Sequence, residues 1–434
     1  MNQNFKNDLS FARLLDAEDT LHSFRDQFIT PTQNGKRLIY FLGNSLGLQP
    51  TKSKAYIQEI LDQWANFGVE GFFKGDQPWY HYHDQLIKPM AAIVGAKPEE
   101  IVVMNQLTVN LHLMLTSFYQ PSGKRKKILC ETKAFPSDQY MFETHLRCRG
   151  LDPTEVIIEV NPIPGEHTIS TEAILTAIQL HADELALVCI GGVNYYTGQV
   201  FDMRRITAAA HHAGARAGFD LAHAAGNVPL SLHEWNVDFA CWCTYKYLNA
   251  GPGAVGAAFI HQKYHHDAGH PRLAGWWGYD KATRFKMEKG FVPITSAEGW
   301  ALSTPSMFQL ATLRAALEIF EKAGIGRLIR KGRLLNDFFR FLLNEISAEI
   351  GERAFVILTP SEQEQKGNQV SLYFHENGKM IFERLEEAGI MADWREPGVI
   401  RISPVPLYNT FEEVWICANA LSKILQPQTA KTIQ

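Results

Sequence analysis

Hydrophobic and polar positions along this chain follow two periods that keep changing places. Residues 101–104, 127–131, 185–190, 215–219 and 239–244 are short, nearly unbroken apolar runs. Such runs read as strands buried on both faces. Between them, 109–118 and 204–212 carry apolar residues at helical spacing, the second with an Ala-rich face. Ahead of them, 38–42 reads as a short strand entering the Gly43-Asn44-Ser45-Leu46-Gly47 turn, and Pro50 opens a helix toward Phe67. Strand–helix–strand alternation implies parallel pairing with right-handed crossovers, hence an α/β fold whose mostly parallel sheet is covered by helices.

Past Pro305 the pattern changes. Residues 307–324 predict a long helix, and 325–349 reads as a further pair of turns rich in Leu and Phe. Strands follow at 355–358, 369–374 and 399–403, with a helix at 380–388 between the last two. The expected organisation is an N-terminal arm (1–50) packed with a small α+β unit (306–434), and a large α/β unit (51–305).

Composition narrows the class. A chain of 434 residues, 46% hydrophobic and 20% charged, is in the range of soluble globular proteins of more than one unit. A net charge of −4 gives no electrostatic reason to expect nucleic acid or an anionic membrane, and Lys124-Arg125-Lys126-Lys127 reads as a solvated turn. The N-terminus lacks the basic and apolar regions of a signal peptide. The most apolar stretch, 239–260, is interrupted by Lys246, Asn249 and Pro252, which suits a buried strand–loop–strand and not a membrane span. Six scattered cysteines, with Cys241 and Cys243 too close for a redox or zinc pair, make no disulfide framework and point to a reduced, cytoplasmic setting.

Four features fall at the carboxyl ends of predicted strands, the edge where open α/β sheets bind ligands. Asp220 ends a buried apolar strand, where its charge needs a cationic partner; a protonated pyridine nitrogen is one, and a plain helix cap is the alternative. Lys246 follows the apolar run 239–244 and precedes the Asn249-Ala-Gly-Pro-Gly253 turn, so it is either a lysine reaching for water or a desolvated amine nucleophile. Together the two suggest pyridoxal 5'-phosphate (PLP) held as a Schiff base. The segment Asn105-Gln106-Leu107-Thr108 offers backbone amides and a hydroxyl to a phosphate, or caps a helix. Phe135-Pro136-Ser137-Asp138 begins a loop whose aromatic ring could stack on a planar cofactor or simply fill core. The triplet His81, His83, Asp84 imitates a metal site, but its spacing is wrong for a helix and no second cluster in the sequence completes it. No Gly-x-Gly-x-x-Gly opens a helix after a strand.

Several stretches resemble kynureninases: 40–50, 107–112, 134–138, 195–199, 218–228, 238–249 with its Cys-Trp-Cys-Thr-Tyr-Lys run, 283–287 and 404–408. The match runs in order from about residue 38 to 415. The resemblance implies a PLP-dependent fold-type I homodimer that hydrolyses L-kynurenine, and its 3-hydroxy form, to anthranilate or 3-hydroxyanthranilate and L-alanine, in tryptophan breakdown or NAD synthesis. It implies that Lys246 carries the cofactor, that Asp220 pairs with the ring nitrogen and that Phe135 stacks on the ring with Pro136, Ser137 and Asp138 nearby. Leu107, Thr108 and Tyr245 would hold the phosphate, His223 and Thr304 would support the cofactor, and Trp276 would reach the phosphate region across the dimer. Arg401 would clamp the substrate carboxylate beside Ser45, and Tyr245 is the candidate acid–base. The chain has Gly191 where the family often has Ser, and Thr304 where it often has Asn. Competing readings are another fold-type I enzyme, such as a cysteine desulfurase or selenocysteine lyase, and a non-catalytic α/β binding protein.

Overall fold

The computed structural model describes residues 4–351 and 354–426. The extreme ends of the expected arm and small unit, 1–3 and 427–434, lie outside it.

Seven strands form the main sheet: β1 (Ile101–Val103), β2 (Lys127–Glu131), β3 (Ile157–Val160), β4 (Leu185–Gly191), β5 (Arg216–Asp220), β6 (Phe239–Trp242) and β7 (Ala257–Ile260). Their spatial order is β1-β7-β6-β5-β4-β2-β3. β7 runs antiparallel to both its neighbours, and the remaining pairs are parallel. Helices Pro136–Cys148, Thr171–Leu180 and Met203–His212 make the crossovers on the β2–β5 side. Their starts carry local stop signals: Pro136 occupies the first turn of one, while Ser170 and Asp202 accept the amides of Ala173 and Arg205 in the others. Every residue of β6 and β7 is buried, as a sheet covered on both faces requires. The antiparallel β7 was not apparent from the sequence, because direction is set by the ten-odd residues of turn before it and not by the apolar run itself.

Gly218 shows how tightly the centre of this sheet is built. It lies opposite Phe239 in the β5–β6 register, and a Cβ there would run into the Phe239 ring. That ring is fully buried and stacked on Phe118 at 4.9 Å, so it has nowhere to move. Gly218→Ala is therefore expected to destabilise the fold by about 1–3 kcal/mol through overpacking. Chemical denaturation checks it; a variant as stable as the parent would show that Phe239 can step aside.

A second sheet contains β8 (Val356–Ile357), β9 (Val370–Tyr373), β10 (Asp393–Arg395) and β11 (Val399–Ile402), in the order β8-β9-β11-β10, all antiparallel. It packs with helices Gly378–Glu387 and Phe411–Leu425 around a separate apolar core that includes Phe338, Leu342, Leu372, Ile400 and Val414. Residues 325–349, expected as a pair of turns, belong to one helix, Ile325–Ile350. Leu335, Phe338, Leu342 and Ile346 recur along one face of it and enter that second core. The preceding helix, Met307–Ala323, packs instead on Ser53–Phe67 and in the first core. The N-terminal arm reaches the second core: the Leu9–Glu18 helix lies on Phe411–Leu425, and Ile39–Tyr40 pairs in parallel with Ile390–Met391. No described helix is long and apolar enough to cross a membrane.

Candidate functional site

Parallel pairing brings the carboxyl ends of β2, β4, β5 and β6 side by side. Glu131 ends β2, Gly191 ends β4 and Asp220 ends β5. The strands stay bonded beyond these ends, with the Gly192 amide on the Asp220 carbonyl (2.7 Å) and the Leu221 amide on the Cys241 carbonyl (2.8 Å). Lys246 follows β6 in a loop closed by Ala250 N–H on the Thr244 carbonyl and Thr244 Oγ1 on the Val255 carbonyl. Asn249, in the left-handed region at φ 58°, turns the chain back there. The lysine is buried, and its Nζ donates to His223 Nε2 at 3.0 Å. It lies 5.8 Å from the Phe135 ring centre and 5.9 Å from that of Tyr245.

The electrostatics of this floor are set by buried acids. Burial pushes the Asp220 carboxyl up, while Lys246, the Ala222 amide (2.7 Å) and a hydrogen bond from Asp138 pull it down. Asp138 is driven up much further, first by burial and then by the charges of Asp220 and Glu131. Two carboxyls in contact cannot both ionise, so the pair shares one proton, seated on Asp138, and Asp220 is the charged member. Burial, with the positive charge of Lys246 next, pushes His223 well below the ordinary imidazole range and keeps it neutral. Its Nε2 accepts from Lys246, which leaves the proton on Nδ1, buried without a partner among the described residues. Tyr245 is raised by burial and by neighbouring Cys243, so its phenol stays protonated.

One side of this floor holds two helix N-termini. Leu107–Phe118 and Pro136–Cys148 both start without a side-chain cap, and Thr108 Oγ1 meets Ser137 Oγ at 2.7 Å between them. Uncapped amides and paired hydroxyls from two converging helix starts form an anion cradle. Asn110 fixes the first start, bonding the Met104 carbonyl at 2.8 Å and the Asn105 amide group at 3.0 Å. Phe135, 42% exposed, stands edge-on to Tyr195 at 5.2 Å and leaves a ring face open. An exposed aromatic face, an anion cradle, a half-buried carboxylate without a salt-bridge partner among the described residues and a buried primary amine match the parts of PLP. The residues fit the group.

Arg401 comes from β11 of the second sheet and is almost wholly buried. It donates to the Tyr195 carbonyl (2.6 Å) and Ser45 Oγ (3.2 Å), and it pairs with Asp393, which sits opposite it in the β10–β11 register. Asp393 also accepts from Ser45 and from Arg395 at 3.3 Å. Ser45 and Arg401, 356 positions apart, thus meet as expected, and the Gly47 amide on the Tyr245 carbonyl (2.8 Å) ties the same turn to the lysine loop. Trp276 and Thr304 stand apart from this group. Trp276 is 42% exposed with Phe285 and Arg284 as ring neighbours, and Thr304 is exposed.

Three residues of the site had no role in the sequence reading: Glu131, Tyr195 and Asp393. Glu131 bore the same mark as Asp220, an acid ending an apolar strand. Asp393 was hidden because its three-residue strand has no hydrophobic alternation to announce it. The metal-like triplet does gain a distant acid, Glu298, 2.5 Å from His83. Lys281 sits 2.9 Å from the same carboxylate and already supplies the positive charge. Another trio, Glu100 with His233 and His261, is satisfied internally by the Lys97 and Gln262 amides.

Residues 329–421 match the model of the kynureninase C-terminal domain. The chain is 51% identical over 419 residues to a kynureninase of Flavobacterium psychrophilum, covering 96% of this chain and 98% of that one. It is 51% identical over 413 residues to a kynureninase of Myxococcus xanthus, covering 95% and 96%. Among solved structures, a cysteine desulfurase of Thermococcus onnurineus superposes with a TM-score of 0.74 at 18% identity, covering 89% of this chain and 94% of its own, a likeness of fold. On half-identity across nearly the whole length of both chains, this protein belongs to the kynureninase family.

Proposed function

We propose that this chain hydrolyses the Cβ–Cγ bond of L-kynurenine, and of 3-hydroxy-L-kynurenine, to anthranilate or 3-hydroxyanthranilate and L-alanine, with PLP on Lys246. The observation that carries the reading is buried Lys246, in the loop after β6, near half-buried Asp220 at the end of adjacent β5, in a chain half identical to kynureninases. When bound, the cofactor supplies an electron sink for the carbanions at the substrate's Cα and Cβ.

This chain's own groups supply the rest. Asp220 keeps the ring nitrogen protonated, and Phe135 stacks on the ring. Leu107, Thr108, Ser137 and Tyr245 hold the phosphate end. Lys246, which would hold the cofactor, would also move the Cα proton, with neutral His223 steadying its Nζ. Arg401 binds the substrate carboxylate beside Ser45. Asp393, a fixed carboxylate already on that guanidinium, orients it. Tyr245, held protonated, gives its proton to the side-chain carbonyl oxygen as water adds. Tyr245→Phe is expected to lower kcat by about 10²–10⁴-fold with the visible cofactor band retained. A kcat within a few fold of the parent would remove Tyr245 from this role.

The remaining parts of the reading go with it. The arm 1–50, large unit 51–305 and small unit 306–434 form one protomer of a homodimer, in which exposed Trp276 reaches the cofactor of the second copy and Thr304 supports a cofactor. The setting is the cytoplasm, in keeping with six unpaired cysteines.

A desulfurase needs a thiol at the lysine. Five cysteines are buried, and the exposed one, Cys148, ends the 13-residue helix whose opposite end holds Ser137. At about 1.5 Å per residue it stands roughly 16 Å along the helix from Ser137. The deciding experiment supplies the PLP-loaded protein with L-kynurenine and follows anthranilate fluorescence. Sulfide release from L-cysteine without anthranilate would reverse the reading.

A further inference from the structure

Glu131, a buried acid of the site, has no part in the chemistry above. Glu131 ends β2 and is 4% exposed. It lines the same cavity as Phe135, Asp138, Gly191, Asp220 and His223. Its Oε1 accepts the Gly191 amide at 3.0 Å, and its Oε2 is buried with no partner among the described residues. The absence of a side chain at Gly191 makes this seat possible: a Cβ there would stand 3.0 Å from the same Oε1. The two positions are therefore one arrangement, an acid from β2 occupying space that a side chain at 191 would take.

We propose that Glu131 is a positioning residue of the cofactor site, an acid seated on the Gly191 amide beside Asp220 that tunes how tightly the cofactor ring is held as the pH changes. The inference rests on the PLP reading above.

The surroundings of Glu131 account for this behaviour. Asp220 faces it from β5 and Asp138 from the helix after β2, and both are acids. Cys189 on β4 and Cys130 on its own strand are thiols pushed well up by burial, so both are neutral. The positive charge of Lys246 acts on Asp220, and His223 is neutral. The Glu131 carboxylate thus has amide hydrogen bonds in its favour, against full burial and the charge of Asp220. Burial wins, and the group is pushed up to about 7. Below that pH the floor carries a single negative charge opposite the ring nitrogen; above it there are two, and the hold on the ring changes.

The test compares PLP binding to cofactor-free protein, wild type and Glu131→Gln, from pH 5.5 to 8.5. Gln keeps an oxygen for the Gly191 amide but cannot titrate. Groups on PLP itself titrate equally in both proteins and cancel in the ratio of dissociation constants. That ratio is expected to change by about threefold or more across neutrality, by linkage. The visible absorption of the bound cofactor should follow the same midpoint in wild type and lose it in the variant. A merely structural role would offset the ratio without giving it a pH dependence, so a flat ratio overturns the proposal. Should Glu131→Gln fail to fold, Glu131→Asp keeps an acid on a shorter arm; its midpoint is expected to move, and a profile identical to wild type counts against the proposal. Wild-type protein that binds no PLP would defeat the functional reading itself, a distinct outcome.

Discussion

Lys246→Ala is expected to abolish turnover of kynurenine, by at least about 10³-fold, because it removes the anchor of the cofactor and the base for the Cα proton together. The lysine amine is buried, bonded only to His223 Nε2 and close to the Phe135 and Tyr245 rings, with no second amine near it among the site residues. Truncation also leaves the His223 ring without a partner on either nitrogen among the described residues, since Nδ1 already has none there. The variant should retain PLP weakly, through the phosphate cradle and Phe135, but without the visible band of a lysine-bound cofactor. Borohydride reduction followed by peptide mapping gives the direct readout: cofactor fixed on Lys246 in the parent and on no residue in the variant. Near-normal turnover in Lys246→Ala, or reduced cofactor on another lysine, would overturn the assignment.

Asp220→Asn is the second large effect, a fall in kcat of about 10²–10³-fold with a smaller change in KM, as expected for loss of a pre-placed charge that acts in the transition state. Asn keeps the size of Asp and its acceptor for the Ala222 amide, so the fold should hold. What disappears is the negative charge that keeps the ring nitrogen protonated. The neighbouring acid cannot replace it, because Asp138 is held protonated largely by burial and lies to the side of the strand end. Steady-state kinetics at neutral pH checks this, with the cofactor spectrum confirming occupancy. A kcat within tenfold of the parent would mean that Asp220 is only a cap for the turn that follows it, the alternative its position in the sequence always allowed.

Much of the large sheet was legible because burial on both faces forces long apolar runs, and runs such as 127–131, 185–190 and 239–244 interrupt helical periodicity plainly. Asp220 and Lys246 stood out for the same reason: a charge at the end of such a run is costly without a purpose. Helix 325–350 was underread because its polar face interrupts the apolar stripe often enough to look like separate turns. Glu131 was visible as a strand-end acid, but nothing in one dimension distinguishes an acid facing a cofactor from one facing solvent. The pairing of Arg401 with Asp393 depends on a strand register that three residues of β10 cannot announce.

By itself, the sequence determined the α/β class and much of the order of strands and helices, and it offered a strand-end acid, a lysine after an apolar run and a helix start able to take a phosphate. These are local consequences of hydrophobic period and residue type. Only the tertiary structure decided which strand ends lie side by side, that β7 runs against its neighbours, and that Asp138 shares a proton with Asp220 while Glu131 sits against Gly191. It also decided that the arm brings Ser45 to Arg401 across 356 positions. Those are properties of long-range contact and burial, and burial turns an acid in the chain into a neutral or charged one at the site.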